Sequence, residues 1–247
     1  MTIGLIGAGN MARALALGWR EPVLVCDSGS GRAAALAADI AGARALPSAE
    51  QVAAQADTLV LCHKPAQLGA VARAAAPQAR RVISVLAGTP LERLQSAYPD
   101  AQVAWVMPNT AVEVRAGLSC LCEGPDNELA RELFARLGRV VEVPERLMGV
   151  ATALAGVAPA YTALLVEAQT DAAVRHGMPA ALAAQIVAPS LEGSCALIGA
   201  RAGDTLGVRR AVTSPGGVTA KGLKALEEHG LRTAFHAAMD AVLGTAA

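Results

Sequence analysis

Aromatic residues are nearly missing from this 247-residue chain: Phe, Trp and Tyr together make up 2% of it. Its core must be built from Ala, Leu and Val, which suit closely packed helices and buried parallel strands. An antiparallel barrel or sandwich, usually rich in Tyr, Phe and Trp, is disfavoured. Charge imbalance is missing as well. Lys plus Arg and Asp plus Glu number 21 each, with no long block of either sign, so there is no electrostatic footprint for nucleic acid or an anionic membrane. The expected partner is a small molecule. Paired cysteines are also missing: Cys26, Cys62, Cys120, Cys122 and Cys195 are odd in number and irregularly spaced. No CxxC pair is matched by a second pair or by histidines, which argues against a metal or disulfide framework and for reduced, buried thiols.

Charges, Pro or Gly interrupt the apolar stretches, and no membrane span is expected. Thr2 to Gly9 superficially resembles the apolar part of a signal peptide. No basic segment precedes it and it runs directly into a helical pattern without a cleavage site, so it reads as structure, with a cytoplasmic location expected. At 53% hydrophobic residues the chain is not disordered, and its length accommodates one or two domains.

What is present is alternation. Ile3 to Ile6, Val23 to Cys26, Leu59 to Cys62, Val82 to Val85 and Val103 to Val106 are short apolar runs, and helical stretches separate them. This pattern predicts βαβ units on a buried, mostly parallel, doubly wound α/β sheet. Weaker strands around 119–121 and 140–143 extend its edge, flanking a helix that ends at Gly138 as a helix-stopping glycine. Beyond Pro144 only helices remain, so the predicted division is 1–144, a Rossmann-type dinucleotide-binding domain, and 145–247, an all-helical domain. The helix from Pro159 to His176 is apolar on nearly every face and must be buried all round, which predicts dimerisation through this half.

Three motifs carry chemistry. Gly4 to Ala12 reads GLIGAGNMA, with a GxGxxA fingerprint that follows the first strand and opens the first helix. Gly7 makes the tight turn, Gly9 lets a pyrophosphate approach the helix N-terminus, and Ala12 permits close helix packing. Asp27, 18 residues after Gly9, stands where an acid holds the ribose hydroxyls of NAD, yet Ser28, Ser30 and Arg32 follow and can surround a 2′-phosphate instead. Asp27 as a plain helix cap is the third reading. Cys62-His63-Lys64-Pro65 ends a strand at the ligand-binding edge of the sheet. There Lys64 can contact the cofactor, and His63 is either a proton donor or a hydrogen-bonded wall. Thr213 to Thr219 reads TSPGGVT, two glycines before a helix flanked by hydroxyls, which makes either a carboxylate cradle or an ordinary capped turn.

In order and spacing, GAGNMARAL at Gly7 to Leu15, Lys64-Pro65, Met107 to Thr110, Pro159-Ala160-Tyr161 and VTSPGGVT at Val212 to Thr219 resemble the pyrroline-5-carboxylate reductase family. The resemblance spans essentially the whole chain. It implies NAD(P)H-dependent reduction of a cyclic imino acid to L-proline by a Rossmann domain joined to a helical dimerisation domain, with the active site at the subunit interface. NADPH is the implied cofactor, with NADH usable because the Asp27 carboxylate opposes a 2′-phosphate.

The resemblance also implies residue roles. Gly7, Ala8, Gly9, Asn10 and Met11 line the pyrophosphate, and Asp27, Ser28, His63, Lys64 and Pro65 the nucleoside side. Ala87, Gly88, Asn109 and Thr110 stand near the nicotinamide. Ser214, Gly216, Gly217 and Thr219 hold the substrate, with Thr219 catalytic and Glu145 reaching the substrate amine. The chain departs from the family pattern at His63, Ala111 and Val157, which leaves another cyclic imine as an alternative substrate. Two other functions compete: a β-hydroxyacid-dehydrogenase-like reductase using Lys221, and a non-catalytic dinucleotide sensor.

Overall fold

Ile3–Ile6 (β1), Val23–Cys26 (β2) and Thr58–Leu61 (β4) are buried at every position. That is the pattern of strands covered on both faces, which βαβ crossovers produce. The computed structural model describes residues 1–244. The remaining strands are Arg44–Ala45 (β3), Arg81–Ser84 (β5), Gln102–Pro108 (β6), Gly117–Cys122 (β7) and Gly138–Val143 (β8). They form one eight-stranded sheet in the order β3-β2-β1-β4-β5-β6-β7-β8. All pairs are parallel except β6 with β7. Between and after the strands run the helices Asn10–Trp19 (α1), Arg32–Asp39 (α2), Ala49–Gln55 (α3), Leu68–Ala75 (α4), Leu91–Ala97 (α5) and Glu128–Ala135 (α6). The fold is the expected doubly wound α/β sheet followed by helices.

The few aromatics in this part are fixed by specific contacts. Trp19 and Phe134 meet edge to face at 5.9 Å, and the Trp19 indole donates to the Leu133 carbonyl at 3.0 Å. This contact joins α1 to α6 across one face of the sheet. Trp105, on β6, donates likewise to the Leu86 carbonyl. Burial holds the thiols protonated, pushing Cys26 up to about 11 and Cys62 to about 12. Cys195, by contrast, is exposed, unlike the buried thiol expected. Gly138 also differs from expectation: α6 stops at Ala135, and Gly138 opens β8, where an added Cβ would lie 2.1 Å from the Gly117 carbonyl oxygen. Its role is close strand packing.

Two compact units emerge, Met1–Pro159 and a second beginning at Ala160. Residues 145–159 therefore pack with the sheet unit: Met148–Ala151 (α7), then a π-helical turn at Thr152–Gly156. Asn109 fastens this stretch, accepting from the Leu118 amide and donating to the Ala155 carbonyl.

Ala158–Arg175 (α8), Ala180–Ala200 (α9), Thr205–Ala211 (α10), Val218–Glu228 (α11) and Leu231–Leu243 (α12) complete the chain. Within the second unit Tyr161 and Phe235 pack at 6.4 Å. Two helices, Glu145–Arg175 and Ala180–Ala200, are long and apolar enough to cross a membrane, with mean hydropathy 1.6 and 1.4. Such stretches were not expected, because Pro and Gly were read as interruptions, whereas Pro189 lies inside α9 without ending it. Of the apolar 18-residue window in each, only 11% and 6% is buried within one chain.

The C-terminal end of α1 is clamped from a distance. Arg115 donates from Nε to the Gly18 carbonyl at 2.7 Å and from a terminal nitrogen to the Trp19 carbonyl at 3.1 Å. Arg115→Ala strips two carbonyls at a helix end of their charged donor and should destabilise the fold by about 1–3 kcal/mol. Urea unfolding would register this as a lower midpoint at unchanged slope.

Candidate active site

β1 and β4 are neighbours while β2 and β5 lie outside them, so the strand order reverses between β1 and β4. At such a point the two crossover helices run to opposite faces and leave a crevice at the carboxyl ends of the strands. A cleft of about 610 Å³ occupies that place. Its floor is the turn from β1 into α1. Gly7 has φ 105°, and a Cβ there would sit 2.6 Å from the Cys62 carbonyl carbon and 2.7 Å from the His63 nitrogen. Only glycine lets the turn lie this close to the end of β4. At Gly9, which caps α1 with no side-chain bond, an added Cβ meets nothing within 4 Å. The amides opening α1 are therefore free to meet an anion. Ala12 is fully buried beneath them, so α1 packs closely on the sheet.

Most of the residues expected around a cofactor come together here. Gly7, Ala8, Gly9, Asn10 and Met11 line the cleft from the first turn, Asp27 and Ser28 from the end of β2, His63, Lys64 and Pro65 from the end of β4, and Ala87 from the end of β5. Gly88, Asn109 and Thr110 are outside the lining. The Asn109 side chain is buried and committed to the backbone bonds described above. The lining also includes Val85, Leu86, Gln67 and Val71, which no motif marked; an apolar strand end and the first turns of a helix carry no local signal of a ligand. Gln67 accepts from the Lys64 amide and so shapes the wall rather than projecting alone.

His63 is held in one state. Its Nδ1 lies 2.9 Å from the Lys64 carbonyl oxygen, a geometry that places the proton on Nδ1 as donor. Burial lowers its pKa below the usual imidazole value. Its Nε2 is buried without a hydrogen-bond partner among the described residues, and the lowered pKa favours the neutral ring. Asp27 is likewise engaged: its carboxylate accepts from the Gly29 amide, the Ser30 hydroxyl and the Ala33 amide. These donors, Ser30 foremost, hold its pKa down to about 2.

In the second unit, Ser214 to Gly217 make a tight turn. The Gly217 amide donates to the Ser214 carbonyl at 3.0 Å, and Gly216 has φ 68°. With Pro215 before it this is a type II turn, which needs glycine at that third position. Gly217 then caps α11 without a side-chain hydrogen bond, so the first amides of this helix lack a capping partner among the described residues. Thr219 is half-buried in the first turn of α11, whereas Lys221 is exposed. Glu145 accepts from the Leu91 amide at 2.8 Å, at the start of α5. It ties down the loop that follows Ala87 and Gly88.

A fingerprint turn at a sheet switch point, followed by a helical half, defines a dinucleotide-binding oxidoreductase of two parts. Two family models match accordingly: "NADP oxidoreductase coenzyme F420-dependent" over residues 2–88 and "Pyrroline-5-carboxylate reductase dimerisation" over residues 145–247. A pyrroline-5-carboxylate reductase of Thermus thermophilus is 34% identical over 98% of this chain and 95% of its own length. That of Synechocystis is 37% identical, over 78% of this chain and 74% of its own. The crystal structure of the Streptococcus pyogenes 1-pyrroline-5-carboxylate reductase matches with a TM-score of 0.87 at 28% identity, over 99% of this chain and 97% of that one. That of the Plasmodium falciparum enzyme with NADP bound gives 0.85 at 26%, over 99% and 96%. The chain belongs to the pyrroline-5-carboxylate reductase family. It is an NAD(P)H-dependent oxidoreductase, and the hydroxyacid and sensor readings fall away.

Gly7→Ala should be costly twice. It imposes strain of about 1–3 kcal/mol at a left-handed position and pushes the turn off the end of β4. NADP⁺ binding measured by calorimetry should weaken by roughly tenfold or more, the equivalent of about 1.4 kcal/mol.

Proposed function

We propose that the chain reduces 1-pyrroline-5-carboxylate to L-proline, with NADPH preferred over NADH, as a cytoplasmic homodimer or a multiple of dimers. The observation that carries this reading is the open N-terminus of α11 behind the Ser214–Gly217 turn. Such a helix end suits an anion, and none of its residues is among those that line the dinucleotide cleft. A family member that reduces a cyclic imine bearing a carboxylate has use for both.

The cleft residues fit the dinucleotide: Gly7 to Met11 take the pyrophosphate, Lys64 and Pro65 the nucleoside side, and Ala87 the approach to the nicotinamide. Bound NADPH supplies a hydride. The imine carbon would receive it, the π pair of the C=N bond would move onto nitrogen, and nitrogen would take up a proton from solvent. Little acid strength is needed, so the chain mainly positions its substrate. Ser214, Gly216 and Gly217 shape the turn that exposes the first amides of α11, and these amides with the helix dipole hold the carboxylate. The Thr219 hydroxyl donates to the ring nitrogen and draws density from the carbon under attack. Glu145, bonded to Leu91, holds the loop after Gly88. In this reading 145 is the functional boundary, although residues 145–159 pack with the sheet unit.

The exposed apolar faces of α8 and α9 support assembly with a second copy, because monomers rarely leave such long apolar faces in water. Size-exclusion chromatography at micromolar concentration should therefore return a dimer or larger. A fully active 24.9 kDa monomer would contradict this.

Thr219→Ala removes a hydrogen bond that strengthens in the transition state, and should lower kcat by roughly 100-fold with NADPH affinity little changed. A near-normal kcat, or a loss confined to NADPH binding, would make Thr219 a helix residue only.

A further inference from the structure

Asp27 stands where many dinucleotide enzymes place an acid whose two oxygens grip the ribose hydroxyls, a placement that favours NAD. Its surroundings say otherwise. An ionised carboxylate offers about four acceptor positions, and three are already filled: the Gly29 amide reaches Oδ1 at 2.8 Å, and the Ser30 hydroxyl and Ala33 amide reach Oδ2 at 2.7 and 3.0 Å. Oδ2 is saturated, and the Arg32 amide is a further donor to the carboxylate. A ribose diol needs two acceptors from the acid and cannot have them without breaking this loop.

The same three bonds fold residues 28–31 back over the start of α2. Ser28, Ser30 and Arg32 are thereby brought to the wall of the cleft beside Asp27. Arg32, the first residue of α2, forms no ion pair among the described residues. A planar guanidinium beside the Ser28 hydroxyl is a recognition set for a phosphate monoester, while the Ser30 hydroxyl and the Ala33 amide are already given to Asp27. The negative charge of Asp27 is meanwhile offset by its donors.

We propose that Asp27 is a positioning residue for NADPH selection: it latches the 28–31 loop, through Ser30 among others, so that Arg32, with Ser28, meets the 2′-phosphate. This rests on the reading of the cleft as a dinucleotide site and reverses the usual meaning of an acid at this position. Removing a ribose-gripping acid relaxes an enzyme towards NADP. Removing this one costs it NADP.

Calorimetry on the unliganded dimer, without imine, separates the possibilities. The probes are NADP⁺, NAD⁺, adenosine 2′,5′-bisphosphate and AMP. The intact protein should bind the bisphosphate about tenfold or more tighter than AMP, as expected for a charge-assisted phosphate contact. Arg32→Ala should abolish that difference and leave NAD⁺ within about twofold. Asp27→Ala should weaken NADP⁺ by roughly five- to tenfold with NAD⁺ little changed, while Asp27→Asn, which keeps an acceptor for the loop amides, should recover part of the loss. Ser30→Ala, which breaks one latch bond without touching the carboxylate, should move in the same direction and covers the case in which Asp27→Ala folds poorly. Tighter NADP⁺ binding by Asp27→Ala, a selective loss of NAD⁺ affinity, or equal binding of bisphosphate and AMP by the intact protein would overturn the proposal. Failure of all four probes to bind would instead overturn the dinucleotide reading on which it rests.

Discussion

Everything at the cofactor end of this protein depends on how closely the β1–α1 turn approaches the end of β4. With the position of Gly7 2.6 to 2.7 Å from the Cys62 carbonyl and the His63 nitrogen for any added Cβ, the turn and the strand end form one continuous surface. The buried Ala12 lets α1 settle onto the sheet, Trp19 and Phe134 tie its far end to α6, and Arg115 clamps its last carbonyls. These contacts aim the open amides of α1 into the crevice at the strand reversal. The same physics appears again at α11, where a Pro-Gly turn replaces the strand and a second set of amides is left free. Both helices start behind a glycine with no side-chain cap, and the function proposed above uses one end for a pyrophosphate and the other for a carboxylate.

Legibility of the sequence tracked the range of the forces involved. The fully buried strands β1, β2 and β4 announced themselves as unbroken apolar runs, and the glycines of the two anion turns stood out because few other residues tolerate those conformations. β3 was invisible: Arg44 and Ala45 are both exposed, and a two-residue edge strand has no periodicity to read. The π-helical turn at Thr152–Gly156 was read as ordinary helix, because the Asn109 to Ala155 contact that accompanies it joins residues 46 apart. At the site, the fingerprint and the strand ends came through, since they follow from local sequence. Gly88, Asn109 and Thr110 did not reach the cleft lining, and no local pattern could have told that the Asn109 amide is spent on β7 and the π-turn. The engagement of Asp27 by its own loop was equally hidden, although Gly29 and Ser30 were in view.

The helical half makes sense only with a partner. α8 is apolar on nearly all sides, and burying such a helix within about 90 residues of helices is geometrically out of reach. The continuous stretch Glu145–Arg175 that contains it has the length and composition of a membrane segment, as has α9. Residues 145–247 match a dimerisation family, and at an interface between copies apolar area removed from water stabilises at about 25 cal/mol per Å².

The central claim is direct hydride delivery to the imine carbon, and isotope tracing tests it most directly. Incubation of the protein with 1-pyrroline-5-carboxylate and NADPH deuterated at nicotinamide C4 on the transferred face should give proline one mass unit heavier, with the deuterium on carbon 5. In D₂O with unlabelled NADPH, carbon 5 should gain none. Oxidation of the cofactor without label in proline, or label arriving from solvent, would contradict the account.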